Sequence, residues 1–432
     1  MEKKIDKTLI NYMIISVIFV LKLVTNHNIF VIINCIFIGI CILKEKQERK
    51  AKYLFFVVPW SSTFKFSSDG LSFYTLIALI YVLSTILNFI KNKNNKIHIK
   101  PIMFLLGMLV ILLINNISLD GNSSSILFII GWILNFIVAY FIVISIENKE
   151  DISRYTNSYI ISILISGIFV FILSYVPSIK NNLYQYINIF EMNIGGLDVY
   201  RFTGLESDPN FYATQLITLI AITLKKLSNK KDYIVFVLLL IIGILTLSKT
   251  FILLLALLLL LGVITSTKDI KFKNIVYIFI AGMIIVIACP QIAEVYNTRL
   301  TSYDNINDFT TGRYDLWKEY AKEIITNFRT LLIGNGVNAS YLYISDLKMN
   351  KGAHNSYLYI IYEMGIIGAL FYILFFRELY KYLKKKLQID NRIKFVNFLP
   401  LIILLCASFS LDLINMDWMI YLLIIVIINT VT

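Results

Sequence analysis

"FILLLALLLLLGVIT", from Phe251 to Thr265, runs fifteen residues without a charge. Similar stretches recur along the 432-residue chain, which is 58% hydrophobic and only 16% charged. Its mean hydropathy is +0.75. A water-soluble fold cannot hide so much apolar surface, and long uncharged runs are what a bilayer selects. A membrane barrel would alternate apolar and polar residues, and these runs do not. The fold class is therefore all-α: a polytopic membrane protein with about 12–14 transmembrane helices and one large extracytoplasmic loop late in the chain.

Working outward from that run, spans are expected near 9–24, 29–43, 53–68, 71–90, 102–118, 124–146, 156–176, 208–224, 233–247, 250–266, 274–290, 356–376, 395–411 and 414–430. The weakest is 53–68, which carries Pro59 and Lys65 and also suits a re-entrant segment. The basic N-terminus resembles a signal peptide but has no small-residue cleavage site, so it is taken as an uncleaved first span. Of the 40 Lys and Arg, 28 fall on one side of this arrangement, giving it +17 against −2 for the other. The positive-inside rule makes the basic side cytoplasmic and puts both termini there. It also accounts for the net +13 without nucleic acid. Cys35, Cys41, Cys289 and Cys406 lie in or beside apolar runs with no ligand spacing, as small membrane-core residues do.

The chain divides into N-terminal helices (1–176), a first extracytoplasmic loop (177–207), central helices (208–290), the large loop (291–355) and C-terminal helices (356–432). The large loop balances seven basic against seven acidic residues, so topology did not select its charge. Within it, 310–328 has helical period, with Trp317, Ala321, Ile324 and Phe328 on one stripe. Such a helix lies on the membrane surface or packs on the bundle. Gly334–Asn335–Gly336 then interrupts the chain.

Asp208 followed by Pro209 marks a helix start, an N-cap acid and then proline at the first helical position. With Arg201 seven residues upstream, free helix N–H groups and a guanidinium could receive a phosphate. In the bland alternative, Asp208 satisfies the helix itself and Arg201 touches headgroups. Lys249 tops a turn between two apolar spans, where lysines commonly snorkel. Glu363 lies nine residues past His354, about 13 Å along a regular helix. A carboxyl at that depth is costly unless paired or wet, and Asp412 and Asp417 flank the last turn at similar cost. Gly365 and Gly368 suit close helix packing. No Walker A sequence, HExxH or D-x-D dyad is present, so neither a metal nor another cofactor is expected. His354, one of three histidines, stands where the large loop meets an apolar helix.

In order along the chain stand R-F-T-G-x-x-x-D-P-N-F (201–211), S-K-T (248–250), T-G-R-Y-D-L-W (311–317), L-I-G-N-G (332–336), H-N-S-Y-L (354–358) and E-M-G-I-I-G (363–368). This series resembles the O-antigen polymerase and O-antigen ligase superfamily over roughly 200–370. The first 150 residues match only as a row of spans. The resemblance implies a metal-independent bacterial glycosyltransferase whose donor glycan hangs from undecaprenyl pyrophosphate. It implies that Arg201 and Arg313 stabilise the leaving pyrophosphate and that His354 is the general base. Asp208, Asn210, Asn355, Glu363 and Lys249 are the expected substrate-binding residues. Membrane lipids, a flippase and a chain-length regulator are the implied partners, and no nucleic acid.

Two other classes share this composition. A transporter of the same lipid-linked oligosaccharide would distribute charge through its spans, where only Lys22, Glu363, Asp412 and Asp417 qualify. A passive scaffold would tolerate alanine at His354, Arg201 and Arg313. The topology has its own test: the cysteine of Asp346→Cys is expected to react with an impermeant thiol reagent in intact protoplasts, whereas reaction only after lysis would invert the orientation.

Overall fold

The computed structural model describes residues 7–63, 72–91, 97–118, 123–176, 178–179, 190–194, 197–265, 294, 296–297, 305–310, 312–336, 339, 352–389, 394–414 and 416–431. Among the described residues the chain is all-α apart from one antiparallel hairpin, β1 (Phe190–Ile194) with β2 (Leu197–Arg201). Among the described residues, six helices are long and apolar enough to cross a membrane. They include α1 (Lys7–Thr25), α4 (Phe73–Lys91), α5 (Ile99–Ser118), α6 (Ser123–Ser145) and α7 (Lys149–Ser174). Shorter apolar helices complete the bundle: α2 (Ile29–Lys44), α8 (Pro209–Leu224) and α10 (Lys249–Ile264), with α9 (Lys230–Leu245) between the last two. The expected span 274–290 lies outside the described residues, as does Lys65.

The structure changes the reading of 44–68. Helix α3 (Gln47–Val57) begins inside the expected basic loop and continues as a 3-10 turn, Val58–Thr63. Every residue from Lys50 to Ser61 is buried. Lys52 is tolerated there because its ammonium meets Glu45 at 2.6 Å and Thr8 at 3.1 Å. A charge count assigns any run of lysines to a loop. It cannot see that the stems are apolar and that one head group has a partner. Lys22, also buried, closes the end of α1 on the Asn26 carbonyl and the Asn28 side chain, at 3.2 and 2.7 Å.

The second half supplies the site. Helices α11 (Arg313–Thr326), α12 (Phe328–Ile333), α13 (Ser356–Lys386), α14 (Leu399–Ala407) and α15 (Asp417–Thr430) follow. The buried stripe of α11 is Leu316, Tyr320 and Ile324; of the stripe expected at Trp317, Ala321, Ile324 and Phe328, Ile324 is buried and Trp317 and Ala321 are half-buried. Phe328 is exposed because the helix stops before it: the Asn327 side chain accepts from the N–H groups of Arg329 and Thr330 and starts α12. Helix α11 packs on the bundle through Tyr320, edge-on to Tyr362 of α13 at 5.0 Å.

Helix α13 is broken at Gly365, whose φ is +65°. The turn Gly334–Gly336 docks at the break. Asn335 and Gly336 donate their N–H groups to the carbonyls of Tyr362 and Glu363, at 2.8 and 2.9 Å. Asn115 of α5 donates to the Ile333 carbonyl at 2.6 Å. Glu363 therefore sits near the end of α5, two turns into α13 and just before its break. The close-packing expectation for Gly365 is literal: a Cβ there would lie 2.2 Å from the backbone of Leu332. A φ of +65° with ψ −178° also lies in a region that glycine alone readily occupies. Gly365→Ala should lower the thermal midpoint well beyond Gly312→Ala, since Gly312 has φ +79° but nothing within 4 Å of its Cβ position. Thermal unfolding of both variants in detergent checks this, and equal losses would refute the docking argument.

Candidate functional site

Four helix N-termini converge at one end of the bundle, each capped by a side chain or opened by an arginine. Asp208 caps α8 by accepting from the N–H of Asn210 at 2.6 Å. Ser248 caps α10, accepting from Phe251. Asn355 caps α13, accepting from Tyr357 and Leu358 at 3.0 and 3.2 Å. Arg313 is the first residue of α11. Such ends carry partial positive charge and aim N–H groups outward.

Around α8 and α10 the polar groups interlock. Arg201, buried at the end of β2, donates through Nε to the Thr246 carbonyl at 3.1 Å and through a terminal nitrogen to Asn210 Oδ1 at 3.2 Å. The hydroxyl of Ser248 donates to the same Asn210 oxygen at 2.7 Å. Lys249 follows as the first residue of α10. Thr250 beside it reaches the Ser410 hydroxyl at 3.5 Å, which ties this cluster to the α14–α15 connection.

That connection organises the other half. Asp412 is 4% exposed, and its two oxygens accept the consecutive N–H groups of His354 and Asn355 at 2.8 and 2.9 Å. Two successive N–H groups can share one carboxylate because His354 takes a left-handed backbone, φ +47°, which costs a non-glycine residue and persists only where surroundings impose it. Ser356 locks the geometry, donating to the Leu411 carbonyl and accepting from the Leu413 N–H. The imidazole Nδ1 stands 3.8 Å from Asp412 Oδ2, with the ring partly exposed. Trp317 fixes the approach to His354 by donating to the Ala353 carbonyl at 3.0 Å.

Arg313 bridges the halves. It donates to the Ser410 carbonyl at 2.7 Å, and its charge acts on both Asp208 and Asp412. Burial pulls the Arg313 guanidinium below its ordinary range, and the two carboxylates oppose that. Burial pushes the Asp412 carboxyl up, against the pull of His354, the two N–H groups and Arg313. Cation and anion are thus held in one partly desolvated space, where electrostatic effects are larger than in water.

Of the residues singled out from sequence, Arg201, Asp208 and Asn210 form one cluster, and His354 and Asn355 another. Arg313 links them through Asp208 and Asp412, and Lys249 sits at the edge. Glu363 is elsewhere, two turns into α13 and lining a small pocket with Leu112, Phe128, Trp132, Tyr359, Met364 and Ile414. Asp412 and Ser248 were not assigned roles from sequence. An aspartate between apolar runs was the available signal for the first, while Ser248 offered only its place in S-K-T.

Residues 234–373 match a family model described as O-antigen ligase. The match runs from α9 across the break in α13 and takes in Lys249, Arg313, His354, Asn355 and Glu363. It leaves Arg201, Asp208, Asn210 and Asp412 outside its bounds. No curated relative matches the chain. The match supports the O-antigen polymerase and ligase superfamily, as the motif series implied. Together with the apolar helices, it supports a multi-pass membrane protein similar to enzymes of that family.

Proposed function

We propose that the protein polymerises undecaprenyl-pyrophosphate-linked oligosaccharide repeat units, for capsule, O-antigen or exopolysaccharide, on the outer face of the bacterial cytoplasmic membrane. Both termini face the cytoplasm, and the helix ends that carry the site face outward. The observation that carries this reading is that His354 stands against Asp412, and Arg313 and Arg201 join the same set of helix N-termini.

In the reaction, the acceptor sugar hydroxyl attacks the anomeric carbon of the donor glycan. The new C–O bond forms as the bond to pyrophosphate breaks, and its electron pair leaves on the phosphate oxygen. His354 takes the hydroxyl proton. Asp412 orients the ring and stabilises the imidazolium that results. Negative charge grows on the departing pyrophosphate, and Arg201 and Arg313 stabilise it more in the transition state than in the ground state. Lys249 adds positive charge at the edge. Asp208, Asn210 and Asn355 shape the cradle, their oxygens holding N–H groups in place, and the amides of Asn210 and Asn355 are suited to glycan or phosphate oxygens. Glu363, buried in its own pocket away from these groups, has no part in this step. No step requires a metal. A flippase that delivers the donor and a chain-length regulator are the partners such chemistry calls for.

A second reading is ligation, transfer of the finished glycan to a lipid A core or another acceptor, and the description of the matching family model favours it. The same residues would serve. The choice of polymerase rests on the lack of any feature that identifies a lipid A acceptor.

The test uses purified protein in lipid vesicles with an undecaprenyl-pyrophosphate-linked repeat unit, products being separated on a gel with and without EDTA. A ladder of lengths that survives EDTA is expected. With competent substrate, absence of a ladder removes the polymerase, and a lipid A core acceptor is then offered. In the same assay His354→Ala should lose at least about a hundredfold, the usual scale of general-base catalysis. Arg313→Lys should also be badly impaired, because lysine lacks the planar fork that grips phosphate. Near-full activity in either variant would remove that residue from the mechanism.

A further inference from the structure

The segment Phe202–Ser207 joins Arg201 to Asp208, and so sets where both reach the site. It is anchored from below. Phe202 donates its N–H to the Leu245 carbonyl at 3.1 Å. Gly204, at φ +57°, presses on the Tyr212 ring so closely that a Cβ would lie 2.5 Å from it. The central anchor is Glu206. Its side chain turns into the helices and is 2% exposed. Oε1 accepts from Gln215 Nε2 at 2.7 Å, and Gln215 Oε1 in turn accepts from the Tyr159 hydroxyl at 2.6 Å. The segment, itself largely buried, is thereby tied through α8 to α7.

We infer that Glu206 is a positioning residue for the Arg201–Asp208 segment, and that its protonation state governs the charge and hold of that segment. The groups that face it come from every neighbouring element. Tyr159 comes from α7, Gln215 and Tyr212 from α8, and Trp418 and Asp417 from α15, while Asp208 lies on its own segment. Asn135 of α6 donates to Asp417 at 3.0 Å. Burial, with Asp417 and Asp208 adding to it, pushes the Glu206 carboxyl up to about 7, against the opposing N–H groups of Gln215 and Trp418.

The consequence follows from charge. Protonated Glu206 keeps its bond to Gln215 and adds nothing to the field. Ionised Glu206 places a third carboxylate beside Asp208 and Asp417, on the segment that joins Arg201 to Asp208. Catalysis by His354 improves with rising pH, while ionisation of Glu206 opposes it, so activity falls on the alkaline side. Stability has the same sign. The folded group holds its proton above the ordinary glutamate value of 4.5. Its contribution is therefore complete below that pH and is lost as pH rises through about 7.

The activity arm rests on the transferase reading above, and the stability arm does not. The full-length protein is assayed in vesicles with the lipid-linked repeat unit, and kcat/KM is measured from about pH 5.5 to about pH 9. Glu206→Gln, neutral and of the same shape, is expected to lose the alkaline fall while keeping the rise due to His354. Gln215→Met removes a donor that favours the ionised form, and should move the fall to higher pH. Glu206→Ala should lose about tenfold across the range. In detergent, the thermal midpoint of the parent protein should decline relative to that of Glu206→Gln between about pH 5 and about pH 8. An alkaline limb unchanged in both Glu206→Gln and Gln215→Met, or midpoints that run parallel with pH, overturns the proposal. Absence of transfer at every pH strikes the transferase reading alone, and the thermal midpoints still decide Glu206.

Discussion

One carboxylate organises the end of the bundle that carries the site. Asp412 holds the consecutive N–H groups of His354 and Asn355, stands near the imidazole, and draws Arg313 toward the same point. Its burial would be costly if unpaired. The partners that make it tolerable are the two N–H groups, the imidazole and the guanidinium that face it. The strained backbone at His354 belongs to the same arrangement, since without that twist the two N–H groups could not share one acceptor.

The scaffold holds this arrangement by making long-range bonds at irregular places. Helix α13 is interrupted so that Gly334–Gly336 can bond to its exposed carbonyls, which fixes α12, and with it α11, against α13. Arg313 at the start of α11 and His354 just before α13 are thereby held relative to each other. The polar segment before α8 is held in the same way, through Glu206, Gln215 and Tyr159. In a bilayer, apolar helices gain little from contact with one another that lipid does not also supply, so such specific bonds and close glycine contacts carry much of the definition. A charged head group in the bundle, such as Lys52, is accommodated by the same means.

Much of this was legible in the residues and some was not. Asp208–Pro209 announced a helix start, and the cap is there with its bond to Asn210. The period of 310–328 announced a helix, and Ile324 of the expected stripe is buried, but the buried face turns to Leu316 and Tyr320, and Asn327 ends the helix before Phe328. The expected 53–68 span starts earlier, with its lysines inside the fold, because hydropathy scores residue type and is blind to pairing. Of the site, the arginines and His354 stood in motifs. Asp412 stood out only as a cost, and Glu206 in G-L-E-S-D-P-N gave no signal at all.

By itself the sequence determined that the chain is a bundle of membrane helices, for the elementary reason that uncharged runs of such length have nowhere else to go. It also determined several helix starts, because caps are read from neighbours within three or four positions. Only the tertiary structure decided what those starts face. That Asp412 meets His354 across 58 positions, and that Asn210 meets Ser248 across 38, depends on how helices pack, and local pattern carries no information about distance through space.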